Sequence, residues 1–359
     1  MFLTAMKPFT KLAAATCVGV VGLALAGCST TTPAQPADGS ASSSATATSE
    51  APAELTPVTV TLNYLAGGPN AGFMVAQANG YYADAGLDVT IQEGQGSGST
   101  SSLVAQGNSE FGFADAPSAM AVTAQEGDLI NIAQVLQTNG FSVMSLESSG
   151  LKTIGDLAGK SVALQPGTAQ ASLFDAVLAA NGVDKASVDI VNIDPSALVA
   201  TLLQGSVDAI TAGADSQGVQ LREQGATLNE VLYRDAGVPT VGLSIIAQAS
   251  YAKANPDIAS AFVEASLRGF DDVRKDPKAA GDIVAKAFPA GAVTDSIVKQ
   301  AEIDIKLYCS AGSEGMGKVS SDTWTATYDL LVKYLDLPTT DPITAYYTDD
   351  YLPADLPAC

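Results

Sequence analysis

The chain has 359 residues, with 17 lysines and arginines against 38 aspartates and glutamates, so its formal net charge is -21. A surface this acidic repels nucleic acid and anionic lipid, and neither is an expected partner. The chain contains no histidine, which excludes histidine-containing zinc sites, Ser-His-Asp triads and Cys-His nucleophiles.

The first 27 residues have the features of an export signal. Lys7 and Lys11 give it a positive start, and the apolar run over 12–26 is too short to span a bilayer comfortably. The run ends in Leu-Ala-Gly before Cys28, which resembles the bacterial lipoprotein signal, so we expect Cys28 to carry the lipid. An ordinary cleaved signal with a chance cysteine is the alternative. Residues 28–56 are mostly Ser, Thr, Ala and Pro, and we expect a disordered tether.

From Val58 onward, strand and helix patterns alternate, which predicts an α/β fold with two lobes, each a mainly parallel sheet with flanking helices. The first lobe is expected over 57–146 and again over 239–359, where it includes C-terminal helices and a tail. The second lobe is expected over 147–238. Because the chain crosses twice between the lobes, we expect a hinge there and a cleft between them.

The rest of the chain is organised around residues 94–115 (GQGSGSTSSLVAQGNSEFGFAD). Glycine and hydroxyl residues over 95–100 predict a loop that opens a helix over 101–106, and the apolar strand over 111–114 ends at Asp115. Such a loop leaves backbone N–H groups for an anion or polar ligand, and Asp115 would lie at the ligand-binding edge of the sheet. A simple N-capped helix, with Asp115 capping the next helix at Pro117, is the alternative.

A second loop of the same kind, over 165–170 (QPGTAQ), opens a helix over 171–181 in the second lobe. Asp215 begins a later helix of that lobe, so it either faces the cleft or caps its helix. We expect both glycine-hydroxyl loops to face the same cleft, which favours a ligand site over chance.

The cysteines that remain after Cys28 are Cys309 and Cys359. Outside the cytoplasm, two such cysteines most simply form a disulfide, which would tie the C-terminal tail to the body. Two free thiols are the alternative.

Four segments resemble the substrate-binding proteins of ABC importers. Residues 70–82 (NAGFMVAQANGYY) and 85–89 (AGLDV) resemble the first lobe of the binders of nitrate, sulfonates, taurine and the thiamine pyrimidine precursor (NMT1/THI5-like). Residues 156–160 (DLAGK) and 203–209 (LQGSVDA) are similar to their second lobe.

The resemblance implies the two-lobed type II periplasmic-binding fold, closure about a hinge, and delivery of a small-molecule ligand to permease and ATPase subunits. It implies a monomer without cofactor or metal, held at the outer face of the cell membrane by the lipid on Cys28. Fungal thiamine-pyrimidine synthases share the fold but act through a histidine- and cysteine-rich site that this chain lacks, so no enzymatic activity is expected. An extracytoplasmic sensor is an alternative that would use the same fold.

By position in that family, ligand contacts are expected from loops of both lobes. The expected residues are Asn63, Tyr64, Asn70, Ser97, Ser99, Thr100 and Asp115 of the first lobe, and Gln165, Gly167, Thr168, Gln170 and Asp215 of the second.

Two ligand classes fit these residues. Sulfonate or nitrate would suit the helix N-termini and hydroxyls, but Asp115 and Asp215 would repel an anion, and none of the loops contains an arginine. A small nitrogenous heteroaromatic of the thiamine-precursor kind could donate hydrogen bonds to these carboxylates and stack on Tyr64 or Phe73. We therefore rank the heteroaromatic ahead of the sulfonates.

Overall fold

Ten strands form two five-stranded sheets in the part of the chain that the computed structural model describes, residues 54–290, 293–309, 313–338 and 341–359. The expected signal over 1–27, the lipidation site Cys28 and the expected tether up to residue 53 lie outside these residues. The first strand begins at Thr56, the last residue of the expected tether, and pairs there with Leu87.

The first sheet has the strand order β2-β1-β3-β10-β4. Its strands are β1 (Thr56–Thr61), β2 (Leu87–Gln92), β3 (Phe111–Asp115), β4 (Ile130–Gln134) and β10 (Leu243–Ala247). β1 runs parallel to both of its neighbours, whereas β10 is antiparallel to both β3 and β4. All the strands except β10 therefore run in one direction.

The second sheet repeats this arrangement with the order β7-β6-β8-β5-β9. Its strands are β5 (Phe141–Leu146), β6 (Ser161–Leu164), β7 (Asp189–Asn192), β8 (Ala209–Gly213) and β9 (Leu228–Leu232). Here β5 is the antiparallel strand, between β8 and β9. The predicted two-lobed, mainly parallel α/β fold is confirmed.

The boundary expected after residue 146 does not match the pairing of β5, which belongs to the second sheet. The apolar pattern of a strand shows that it is buried but not which sheet it joins. β10 joins the first sheet, as expected for a strand that crosses back.

Twelve α-helices flank the sheets within the described ranges. They are α1 (Ala71–Ala78), α2 (Tyr81–Asp84), α3 (Ser97–Ala105), α4 (Ala116–Glu126), α5 (Ala169–Ala180), α6 (Leu198–Leu203), α7 (Gln217–Glu223), α8 (Ala249–Ala254), α9 (Pro256–Lys275), α10 (Pro277–Ala287), α11 (Thr294–Asp304) and α12 (Ser321–Leu335).

Helix α3 begins four residues earlier than the sequence predicts, directly after Gly96. The hydroxyls of its first turn have partners elsewhere: Ser97 bonds to Asp115, and Thr100 Oγ1 donates to the Leu62 carbonyl at 2.7 Å. Because these hydroxyls do not compete for nearby backbone groups, the serine- and threonine-rich segment can become helical. The loop expected over 95–100 is therefore shorter than predicted.

Aromatic rings fill the core of the first lobe. The ring of Phe262 on α9 stacks on that of Phe111 at 4.1 Å and on that of Tyr82 at 5.5 Å. Phe73 and Phe270 pack edge to face at 5.1 Å. These rings hold α1, α2 and α9 against the sheet and so fix the loops that follow its strands.

Helix α12 packs against α5 of the second lobe and α4 of the first. Its Trp324 is fully buried in a hydrophobic cluster that also contains Met120 of α4 and Phe174 of α5. The lobes are therefore joined by a shared apolar core as well as by the two crossing segments.

Cys309 and Cys359 form the predicted disulfide, across a separation of 50 residues. The tail is also bonded through its backbone, since the Met316 N–H donates to the Pro357 carbonyl at 2.9 Å. Within the described residues, no helix is both long and apolar enough to cross a membrane.

Candidate functional site

A cavity of about 700 Å³ lies between the two sheets, at the carboxyl ends of β1, β3, β6 and β8. Asn63 follows β1, Asp115 ends β3, Gln165 follows β6, and Asp215 comes shortly after β8. Open α/β sheets bind ligands at this edge because loops from several strands converge there. Its volume lies in the range of sites that take drug-sized molecules.

Most of the predicted contact residues line this cavity. They are Asn63, Tyr64, Asn70, Ser97, Asp115, Gln165, Thr168, Gln170 and Asp215. Three predicted residues are not in its lining. Thr100 is buried with its hydroxyl on the Leu62 carbonyl, while Ser99 and Gly167 are exposed outside it.

The two glycine-hydroxyl loops touch each other across the cleft. The Gly98 N–H donates to the Gly167 carbonyl at 3.3 Å, and Gln165 Nε2 donates to the Gln95 carbonyl at 3.5 Å. Thr168 caps α5 by accepting from the Ala171 N–H. One N–H group at each of these helix N-termini therefore already has a partner, which leaves fewer donors for an anion there.

Asn70 braces the loop after β1. Its Oδ1 accepts from the Gly67 N–H at 3.0 Å, and its Nδ2 donates to the Asn63 side chain at 3.2 Å and to the Leu65 carbonyl at 3.1 Å. Asn70 thus shapes the cavity wall, and Tyr64 on the same loop also lines the cavity. Burial, and then the charge of Asp194 from the second lobe, raise the pKa of Tyr64.

Asp115 is buried and held by Ser97. The Ser97 hydroxyl donates to Asp115 Oδ2 at 2.9 Å. The same hydroxyl oxygen accepts a hydrogen bond from the backbone N–H of Asp115 at 3.1 Å. Asp115 occupies the N-cap position of α4, but its side chain makes no capping bond. Burial raises the pKa of this carboxyl to about 7, although the bond from Ser97 opposes the rise.

Asp215 faces the same cavity from the second lobe. Its helix, α7, begins at Gln217 with Ser216 at the N-cap position, so Asp215 precedes the helix. Burial raises its pKa to about 6, against backbone N–H groups that lower it.

Asp304, at the C-terminal end of α11, is the third carboxyl of the cavity and was missed from the sequence. It is fully buried, and neither of its oxygens has a hydrogen-bond partner within the part of the chain that the structure describes. Burial and the nearby charges of Asp215 and Asp115 raise its pKa well above the usual value. A signal was present in the sequence: Asp304 shares a buried helix face with Ile297 and Ala301, where a charged residue is out of place.

Other lining residues missed from the sequence come from α7, from α11 and from the segment that joins α10 to α11. Phe288, Val293 and Ile297 give an apolar wall, and Gln217, Gln220 and Gln300 add amide groups. Glu223 lies at the same cavity and bonds across the lobes to Lys299 at 2.8 Å and to Ser296 at 3.1 Å.

The lining is acidic. It contains Glu93, Asp115, Asp215, Glu223 and Asp304, and no lysine or arginine among the described residues. Those residues also include no group of three or more carboxylates or cysteines arranged to hold a metal ion. The cavity therefore offers acidic side chains without a cation to balance them when they ionise, and the raised pKa values of Asp115, Asp215 and Asp304 mean that some of them hold protons near neutral pH.

A second, more open cavity of about 830 Å³ adjoins the first and shares with it Tyr64, Leu65, Gln165, Gln217 and Gln220. Its other polar lining residues include Gln95, Asn192 and Ser196. The second cavity thus places amide groups, and the carboxyl of Asp194, next to the carboxyl-containing first cavity.

Comparison with known proteins gives a consistent result. Residues 69–280 match the family model described as NMT1/THI5 like. The riboflavin-binding protein RibY of Chloroflexus aurantiacus is 24% identical over 339 residues, which is 92% of this chain and 95% of that protein. The formylaminopyrimidine-binding protein of Halalkalibacterium halodurans is 23% identical over 232 residues, 64% of this chain and 70% of that protein.

The fold is also that of solved binding proteins. The alkanesulfonate-binding protein SsuA from Xanthomonas axonopodis pv. citri, bound to MOPS, superposes with a TM-score of 0.65 at 17% identity, covering 82% of this chain and 99% of that one. At this identity the likeness is one of architecture.

Proposed function

The chain belongs to the NMT1/THI5-like family, and from this premise we propose that it is the extracytoplasmic solute-binding component of an ABC importer. In this proposal it is a monomer held at the membrane through a lipid on Cys28. It captures a nitrogen heteroaromatic of the thiamine-pyrimidine-precursor kind between its lobes and delivers it to the permease and ATPase subunits.

The observation that carries the proposal is the set of three aspartates that line the cavity, Asp115, Asp215 and Asp304. Ring N–H and amino groups are hydrogen-bond donors, and carboxyl oxygens in a buried site are strong acceptors for them. The apolar wall around Phe288 and Ile297 suits the flat faces of a ring.

The same features disfavour the alternative ligands, sulfonate, taurine and nitrate. An anion in this cavity would meet several acidic side chains, and no described lining residue supplies a lysine or arginine. The Gly98 N–H, which could have met an anion, is directed at Gly167. A volume of about 700 Å³ also exceeds what nitrate would fill.

The named relatives support a heteroaromatic as well. Riboflavin and formylaminopyrimidine, the ligands in their names, share a nitrogen-containing ring with donor and acceptor edges. The amide groups of the second cavity would accommodate a polar substituent on such a ring. Delivery to a permease, and the absence of turnover, are part of the proposal.

A thermal-shift panel on the purified protein tests the proposal. The panel holds aminopyrimidines, thiamine, riboflavin, taurine, alkanesulfonates and nitrate. A ligand at 100 times its Kd adds about 2.7 kcal/mol to the free energy of unfolding, which raises the midpoint by several degrees. We expect a shift with one or more heteroaromatics and none with the anions.

Two variants sharpen the test. Asp215→Asn removes one cavity carboxylate and should reduce the heteroaromatic shift, whereas Asp282→Asn on the exposed face of α10 should leave it unchanged. A shift with sulfonates alone, or none with any heteroaromatic, would overturn the proposed ligand class.

A further inference from the structure

We infer that the cleft binds its ligand in a cationic form, and that Asp304 is the residue that selects for the positive charge. The group it would take is a protonated ring nitrogen or an amidinium-like N–C–N unit. This inference rests on the proposed function, since it concerns the charge state of a heteroaromatic bound in the same cavity.

The starting observation is the state of Asp304. Asp304 is a lining residue of the cavity and is 0% exposed, and neither oxygen of its carboxyl has a hydrogen-bond partner among the described residues. A buried polar group without a partner is costly, and its partner can be a bound molecule, a water or an ion; of the described side chains with such atoms, Asp304 is the one that lines this cavity. The Tyr308 hydroxyl, on the residue one helical turn after Asp304, is also buried without a partner among the described residues and makes no bond to Asp304.

The charges around Asp304 give the sign of the missing partner. Asp115 at the end of β3 and Asp215 in the loop after β8 line the same cavity, and both act on Asp304 electrostatically. Glu230 of β9 also acts on Asp215 electrostatically, but it is paired with Arg222. The nearest cation on α11, Lys299, is paired with Glu223. Balancing charge must therefore come from protons or from the ligand.

Cation binding would also connect the lobes. Asp115 and Asp304 belong to the first lobe and Asp215 to the second, so one cationic group between them would attract all three carboxyls at once. An N–C–N unit offers two parallel N–H donors, which match the two oxygens of one carboxylate. The remaining carboxyls would then stabilise its charge and favour the closed arrangement of the lobes.

The pH dependence follows from competition between the ligand and protons. Burial raises the pKa of Asp115 to about 7 and that of Asp215 to about 6, so the empty site holds protons near neutral pH. A cation favours the ionised carboxylates, so its binding should release protons. Its affinity should rise between pH 5.5 and pH 8, as long as the ligand itself stays protonated.

The test uses a matched pair of probes, benzamidine and its neutral isostere benzamide. Calorimetric titrations of the wild-type protein are made at pH 6 and pH 8, in two buffers of different ionisation enthalpy, so that the number of protons released is measured directly. We expect benzamidine to bind at least 10-fold more tightly than benzamide, to release protons, and to bind more tightly at the higher pH. Equal binding of the two probes, binding of neither, or proton uptake would overturn the inference.

Variants then locate the charge selection. Asp304→Asn should weaken benzamidine binding at least 10-fold and leave benzamide unchanged, and Asp282→Asn should alter neither. If Asp304→Asn does not fold, the proton count on the wild-type protein still decides the question. Failure of the charge selection can be told apart from failure of the proposed function. If neutral heteroaromatics bind as well as cationic ones, the charge selection is overturned, while the heteroaromatic ligand class still holds.

Discussion

At the scale of single residues, hydrogen bonds from Ser97 hold the Asp115 carboxyl in place at the cavity. One hydroxyl holds both the carboxylate and the backbone N–H of Asp115, so the side chain stays directed into the cavity and does not cap α4. An aspartate that is buried with only one such bond remains close to its protonated form at neutral pH. The pair therefore determines both the position and the charge of an acceptor.

The raised pKa of Asp115 predicts how stability depends on pH. The carboxyl ionises near its ordinary value of 3.8 in the unfolded chain and at about 7 in the folded one. Its contribution to stability is therefore present at low pH and is lost as pH rises through this window. Between pH 5 and pH 8, the free energy of unfolding of the wild type should fall. In Asp115→Asn, the fall over the same range should be smaller by about 2–3 kcal/mol.

Denaturant titrations of the ligand-free protein at several pH values would measure this difference. Asp215 and Asp304 titrate in both proteins, but they interact electrostatically with Asp115, so the difference between the curves reports Asp115 together with this coupling. The exposed variant Asp282→Asn provides the control and should follow the wild-type curve. Parallel curves for Asp115→Asn and the wild type would contradict a raised pKa at Asp115.

At the residue level, the sequence predicts the position of a side chain best where that residue follows a strand. Asn63, Asp115 and Gln165 are all found at strand ends, because parallel strands bring their carboxyl ends to one edge whatever the details of packing. Asp304 comes from a C-terminal helix, and its place in the cavity depends on how α11 packs against the first lobe. The pattern of that helix shows an acid on a buried face, but not which surface it faces.

At the scale of elements, the two glycine loops form a direct backbone contact between the lobes. A Cβ atom at Gly96 would lie 2.6 Å from the Gly167 carbonyl oxygen, and one at Gly98 would lie 3.2 Å from it. Small residues are therefore required for the two backbones to touch. The sequence showed that both segments are rich in glycine, but the chain pattern alone could not show that they contact each other.

Gly98→Ala should weaken ligand binding without weakening the fold. The added methyl separates the loops by a few tenths of an ångström and strains the Gly98–Gly167 hydrogen bond, which should cost about 3- to 10-fold in affinity. Since alanine is the better helix former, the melting temperature should stay the same or rise. The measurement is a titration with whichever compound stabilises the wild type in the thermal-shift panel.

Gly155→Ala is the matched control, because a Cβ there would meet only Thr153 Oγ1 at 3.6 Å. It should bind as the wild type does. Small-angle scattering of the liganded proteins adds a second readout, with Gly98→Ala less compact than the wild type. Unchanged affinity and compaction in Gly98→Ala would show that the loop contact plays no part in closure.

At the scale of the whole molecule, the C-terminal part of the chain ties the lobes together. Helix α12 and Trp324 contribute to an apolar core shared by α4 and α5, and the tail is fixed by the Cys309–Cys359 disulfide. The sequence predicted the disulfide and the helical character of this region. Its position across both lobes depends on tertiary packing, which periodicity does not encode.

Replacing both cysteines by serine should lower stability and spare binding. With 50 residues between the cysteines, loop-closure entropy gives the disulfide about 4 kcal/mol, which corresponds to a melting temperature about 10 °C lower. Neither cysteine lines the cavity, so affinity well below the midpoint should not change. Thermal melts with and without reductant measure the effect: the reductant should destabilise the wild type and leave the double variant unaffected, and equal midpoints for the two proteins would contradict the expectation.

The position of β10 also determines the order in which the molecule can be completed during synthesis. β10 lies between β3 and β4, yet it is made after every strand of the second sheet. The second sheet comes from the uninterrupted segment 141–232 and can form as soon as that segment has emerged, because domains generally fold as units. The first lobe must wait with an open gap between β3 and β4. The cavity therefore forms late, after the C-terminal part of the chain has supplied β10 to the sheet begun by the N-terminal part.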